Sequence, residues 1–184
     1  MRNSGTREKI IKVALREFVE RSYHEVSVED IARKAGVSKG GLFYHFPSKY
    51  ELAKEVLVRF FREMAEEVLP KVLELETPED RFRALIDTSI EFIRTNPKLS
   101  RFFLEVYEEA IRRGNDLGQW REFYREYHEL LEEIFERIGL PNPRQRAVLF
   151  AAMMDGLAMH YLIAGIDMDT LKEEIFRMFK CAKY

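Results

Sequence analysis

The sequence predicts an all-α protein, with an N-terminal three-helix helix-turn-helix head followed by a larger helical body. Three observations lead there. Apolar residues recur at spacings of three and four along nearly all of the 184 residues, the period of a helix face, and alternating β-branched runs are absent. Serine-led capping patterns and proline-led helix starts punctuate that period. Two of those starts fall so close together, near residues 27 and 48, that only short helices and a tight turn fit between them.

Taken in order, Ile11, Leu15, Phe18 and Val19 form one face and predict a first helix over about 6–22. Ser27-Val28-Glu29-Asp30 reads as a capping box opening a second helix that runs to Ala35, with Gly36 as its stop. Ser38 can cap a third, very short helix. Pro47 ends it, because Phe46 before a proline is pushed away from helical angles. Ser48-Lys49-Tyr50-Glu51 is a second capping box and opens a long fourth helix. Thr77-Pro78, Asn96-Pro97 and Asn142-Pro143 each pair a capping residue with proline at the first helical position, where its missing amide costs nothing. They divide the rest into helices near 78–95, 97–113, 115–138, 143–165 and 167–182, with Gly114, Gly139 and Gly165 at helix ends.

With 46% hydrophobic and 34% charged residues, the composition is globular rather than disordered. The single cysteine, Cys181, excludes an internal disulfide and a cysteine-rich zinc site. The charged N-terminus lacks the apolar core of a secretory signal, which points to a cytoplasmic protein. The apolar run Ala147–Gly165 is interrupted by Asp155 and His160, so it predicts a buried or interface helix rather than a membrane span. The net charge of −2 is unevenly spread: residues 1–55 hold 11 Lys/Arg against 8 Asp/Glu, and the remainder 19 against 24. That is a basic head on an acidic body.

The stretch Gly36–Lys49, GVSKGGLFYHFPSK, carries the chemistry. Leu42 and Phe46, four apart, turn one face of the third helix inward onto a small core of Phe18, Ile31, Ala32, Ala35, Val37 and Leu52. The face left outside holds Lys39, Gly40, Gly41, Tyr44 and His45. Lysine suits phosphate or guanine, tyrosine and histidine offer hydrogen bonds and flat surface, and the glycines remove side chains that would hold the backbone off. Ser27, Ser38 and Ser48 stand at helix N-termini, where amides favour phosphate oxygens, and Lys49 adjoins the last. No nucleophile–base pair, metal-ligand cluster or phosphate-cradling glycine loop is present, so neither an enzyme nor a cofactor is expected. A helical lipid carrier without DNA function would keep the aromatic body but show no salt-dependent duplex affinity, and a purely structural helical dimer would lack a pocket.

The segment SVEDIARKAGVSKGGLFYHFPSKYELAKEVL, Ser27–Leu57, resembles the DNA-binding head of the TetR/AcrR family of transcriptional regulators. The family pattern is T-x-x-x-I-A followed by G-V-S-x-G-x-L-Y-x-H-F-x-x-K, and the resemblance covers roughly residues 6–57. Phe43 departs from the usual tyrosine, and Gly41 from a small polar residue. The resemblance implies phosphate contacts near Ser27, Ser38, His45 and Lys49, with Lys39, Gly40, Gly41 and Tyr44 toward base edges or nearby phosphates. It implies a DNA-binding domain over 1–52 and an effector-binding and dimerisation domain over 53–184. The expected partners are a double-stranded operator, a small, mostly apolar effector and a second copy joined through the last two helices; repression is the expected mode. For the effector, the aromatic and methionine positions Phe92, Phe103, Tyr107, Trp120, Tyr124, Tyr127 and Met154 are candidates, with Asp155 as polar anchor. Helix four is the expected link between head and body.

Overall fold

The computed structural model describes residues 2–113 and 117–180, and side chains over 5–113 and 121–179. Gly114, the Trp120 side chain and Cys181 lie outside the described residues. Among the described residues the chain is all-helical: α1 (Arg2–Arg21), α2 (Val28–Ala35), α3 (Lys39–His45), α4 (Lys49–Leu73), α5 (Pro78–Thr95), α6 (Pro97–Arg112), α7 (Leu117–Ile138), α8 (Pro143–Ala164) and α9 (Lys172–Lys180). A single 3-10 turn, Asp169–Leu171, precedes α9. The last segment is therefore not one helix from 167. Asp167 breaks it, its carboxylate accepting the Asp169 amide at 3.0 Å and its carbonyl the Thr170 hydroxyl at 2.9 Å.

The three Pro-led starts form as expected but by different means. Thr77 caps α5, its hydroxyl accepting the Asp80 amide at 3.0 Å. Asn96 instead closes the preceding helix: its amide nitrogen donates to the Phe92 carbonyl at 3.0 Å. Asn142 sits in the left-handed region (φ 52°, ψ 53°) and its side chain makes no capping bond. Asparagine tolerates that conformation better than most residues, so backbone geometry rather than capping accounts for Asn142.

Packing divides the chain into two compact units. The first comprises residues 1–60 and 101–123, the second 61–100 and 124–184. In the first, Phe18, Ile31, Ala32, Ala35, Leu42, Phe46 and Leu52 are buried as the periodicity predicts, with Val37 half-buried. Residues of α6 complete this unit. Phe102 stacks on Phe18 at 5.0 Å, and the Tyr23 amide donates to Glu105 at 2.6 Å. In the second unit Phe82 meets Phe135, Phe150, Phe176 and Phe179 at ring distances of 5.2–6.1 Å. The buried Arg146 ties α8 to the end of α9, donating to the carbonyls of Pro141 and Phe179. One face of α8 (Ala147, Phe150, Ala151, Met154) is built into that core. The opposite face, Leu149, Ala152, Gly156, Met159 and Ile163, is a stripe at helical spacing that stays largely outside, Ile163 being 77% exposed.

The two capping patterns are separable by chemical denaturation. Thr77→Ala is expected to lower stability by about 1 kcal/mol, the usual value of a side-chain cap. Asn142→Gly is expected to leave stability unchanged or slightly raised, since glycine takes the left-handed angles freely and no side-chain bond is lost.

Candidate functional sites

The third helix owes its position to the turn before it. Gly36 ends α2 in the left-handed region (φ 69°), and its amide reaches the carbonyls of Ala32 and Arg33. This brings the chain round sharply enough for Ser38 to cap α3 two residues later. The Ser38 hydroxyl accepts the Gly41 amide at 3.0 Å. Leu42 and Phe46 then fall into the core, which leaves Lys39, Gly40, Phe43 and Tyr44 exposed and Gly41 and His45 half-exposed. Tyr44 is 76% exposed and stands edge-on to His45 at 5.3 Å. So exposed a ring on so short a helix adds little to the core of the head.

Lys39 extends across the turn to Glu29 of α2, with Nζ 2.5 Å from the carboxylate and 5.9 Å above the Phe43 ring. The hydrogen bond from Lys39 holds the Glu29 carboxyl below its ordinary range. The pair was not legible in the sequence, where Lys39 reads as a nucleic-acid contact and Glu29 as part of a capping box. A Cβ on Gly40 would find only the Ser38 hydroxyl, at 4.0 Å, whereas one on Gly41 would lie 3.3 Å from it. Gly40 is therefore not required by the packing of the head.

Of the remaining candidates on the head, Ser27 is a cap, accepting the Asp30 amide at 3.1 Å. Asp30 in turn binds Arg33 at 2.7 Å and Arg21 at 3.3 Å. Lys49 is turned inward. Its ammonium donates to the carbonyls of Tyr23 (2.9 Å) and Val26 (3.0 Å) and lies 4.4 Å from the Tyr23 ring centre, and burial lowers its pKa. Six of the eight head candidates thus share α3 and its cap, while Ser27 and Lys49 brace the loop between α1 and α2.

The body candidates fall in both units. Phe103 and Tyr107 belong to the first unit; Phe92, Tyr124, Tyr127, Met154 and Asp155 belong to the second. Within the second, the Tyr124 hydroxyl donates to Asp155 Oδ2 at 3.1 Å. Burial raises the Asp155 pKa to about 6, with the Tyr124 bond opposing. Burial, then the Asp155 charge, push the Tyr127 hydroxyl up from its ordinary value. His128 joins this group as a ring: it lies 5.8 Å from Tyr124 and near-parallel to Tyr127 at 6.4 Å. Burial lowers its pKa and so favours the neutral imidazole. No group of three potential metal ligands occurs among the described residues.

Comparison with known proteins finds two family models along the chain. The family model for bacterial regulatory proteins, tetR family, matches residues 10–56, and that for the tetracyclin repressor-like C-terminal domain matches residues 76–180. An HTH-type transcriptional regulator of Mycobacterium tuberculosis is 28% identical over 96 residues, 52% of this chain and 48% of the relative. The chain thus spans about half the length of such relatives in the matched region. The transcriptional repressor KstR2 of Mycolicibacterium smegmatis is 24% identical over 170 residues, covering 91% of this chain and 73% of the relative. Among solved structures, Thermus thermophilus FadR in complex with lauroyl-CoA has a TM-score of 0.73 at 18% identity, covering 97% of this chain and 95% of that one. At that identity the likeness shows the fold.

Asp155 gives a stability prediction with a definite sign. Its folded pKa, about 6, lies above the ordinary 3.8, so between these values the folded state binds more protons than the unfolded one. Its contribution to stability therefore falls as pH rises from about 4 to 6 and stays low above that, by on the order of 2–3 kcal/mol. Asp155→Asn, which keeps an acceptor for Tyr124, is expected to melt higher than the parent at pH 7.5, and the gap is expected to close at pH 4. Thermal melts of both proteins across that range provide the check.

Proposed function

The chain belongs to the TetR family of bacterial regulatory proteins, and on that premise we propose that it is a ligand-responsive transcriptional repressor, acting in the cytoplasm as a homodimer on a palindromic double-stranded operator. The observation that carries the proposal is the outward face of α3. A seven-residue helix is pinned by Leu42 and Phe46 and turns Lys39, two glycines, Tyr44 and His45 outward, with Tyr44 76% exposed. Lys39 and Tyr44 then serve base edges or nearby phosphates. The glycines let the backbone approach, and Ser38 and His45 meet phosphate. Lys49 and Ser27 act indirectly, by fixing the loop on which α2 and α3 stand.

A second copy covers the apolar stripe on α8, together with the 67% exposed Met178 of α9. By length and composition α8 is also the one helix among the described residues able to cross a membrane. Its inner face in the body core and the Tyr124–Asp155 bond favour a protein partner instead. A two-fold dimer places its α3 helices in successive major grooves, with half-sites centred roughly 34–36 Å apart. An effector bound in the body releases the operator by favouring a conformation with a different spacing, as far as its affinities for the two states differ. KstR2, matched over 91% of this chain, is a repressor by name.

The test is selection of bound duplexes from a random pool, followed by salt-titrated affinity on the selected operator. Lys39→Ala and Tyr44→Ala are each expected to weaken operator binding by about tenfold or more and to relax the selected sequence. Unchanged affinity and preference in both variants would remove α3 as the reading helix. Absence of salt-dependent duplex binding in the parent would favour a helical ligand carrier.

Two further substitutions separate folding from DNA contact. Gly40→Ala is expected to stabilise the folded head by up to about 1 kcal/mol yet to weaken operator binding, because its new methyl faces outward. Glu29→Gln is expected to tighten binding about threefold at low salt by releasing Lys39 from its partner. Melting curves and anisotropy titrations measure the two effects.

A further inference from the structure

Asp155 differs from the other partly buried charges of its unit. Arg146 is met by two backbone carbonyls, and Lys172 by Asp87 at 3.3 Å and Asp169 at 3.0 Å. Asp155 accepts one hydrogen bond, from the Tyr124 hydroxyl, and pairs with no basic side chain among the described residues. A carboxylate drawn out of water without a counter-charge is a standing cost to the fold. Packing alone does not explain its presence, since an apolar residue on this flank of α8 would pack without that cost.

Its surroundings are aromatic. The Tyr127 ring lies 5.0 Å from Phe61 and 6.4 Å from His128, which is itself 5.8 Å from Tyr124. The Tyr124 hydroxyl bonds Asp155, and the Asp155 charge is felt at the Tyr127 hydroxyl as well. The neutral form favoured at His128 adds no competing positive charge. The faces of phenol and imidazole rings attract cations, and a carboxylate at the edge of such a group supplies the opposite charge.

We propose that Asp155, Tyr124, Tyr127 and His128 form a cation subsite that takes the ammonium or quaternary ammonium head of an amphiphilic effector. Asp155 is the counter-charge, and the three rings are the walls. This rests on the effector-responsive reading above and narrows it, because an apolar ligand with an anionic or neutral head leaves Asp155 unanswered.

Calorimetric titration of the full chain with hexyltrimethylammonium, hexanol and hexanoate tests the proposal. The cation is expected to bind at least about tenfold tighter than the alcohol, and the carboxylate weakest. Asp155→Asn keeps the acceptor for Tyr124 and removes the charge. It is expected to abolish the cation's advantage while hexanol binding is retained, and its melting curve confirms that it is folded. A cation no tighter than the alcohol, a carboxylate that binds best, or cation binding unchanged in Asp155→Asn overturns the subsite. Operator affinity measured with each probe separates the two proposals. Asp155-dependent cation binding that leaves operator affinity unmoved supports the subsite and overturns its role as effector site. Operator release by hexanol or hexanoate, without cation binding, overturns the subsite and leaves the regulator reading standing.

Discussion

The head depends on the contact between Phe18 of α1 and Phe102 of α6. Phe18 is fully buried and stacks on Phe102 at 5.0 Å with 20° between the rings. A helix as short as α3 has no stability of its own, because nucleation costs more than seven residues of hydrogen bonding return. Its position comes from Leu42 and Phe46 sinking into the core that Phe18 helps to form. One turn beyond Phe102, Glu105 accepts the Tyr23 amide, and Lys49 of α4 takes the carbonyls of Tyr23 and Val26. The loop between α1 and α2 thus has its backbone groups met by side chains from two later helices, as buried backbone requires. Both α4, through Lys49, and α6, through Phe102 and Glu105, therefore contribute to the packing on which α3 rests.

Charged side chains in both units are largely answered by partners, and Asp155 stands apart from them. In the first, charged side chains come in answered sets: the buried Glu17 with Lys34 and Arg21, Lys39 with Glu29, and Glu109 with Arg112 and Arg113. Such sets orient groups without leaving a buried charge alone. The second unit carries Asp155, a carboxylate held by one phenol and pushed toward its neutral form by burial. Perturbed groups of this kind concentrate where proteins bind or react, because stability is given up there for another purpose.

Much of the fold was legible because local signals acted alone. Gly36, Ser38 and Pro47 set the bounds of α3 through backbone angles and caps that need no distant partner. Inward Leu42 and Phe46 and outward Tyr44 followed from a period of 3.6. The sequence misled where one side chain had several possible partners. Asn96 and Asn142 resembled Thr77 as caps, yet one closes the helix before it and the other adopts left-handed angles. Lys49 looked like a phosphate ligand by its position beside Ser48, but it found carbonyls some two dozen residues upstream.

By itself the sequence determined the helices, their order, the turn that carries α3 and the face that α3 turns outward, because each rests on interactions within a few residues. The tertiary structure alone decided that α6 completes the head, that Lys39 is held by Glu29, that Lys49 braces a loop, and that Asp155 meets Tyr124 beside Tyr127 and His128. Those are contacts between residues from 10 to 84 positions apart, and a charge or ring does not carry in its own neighbourhood in sequence the identity of the partner that chain folding brings to it.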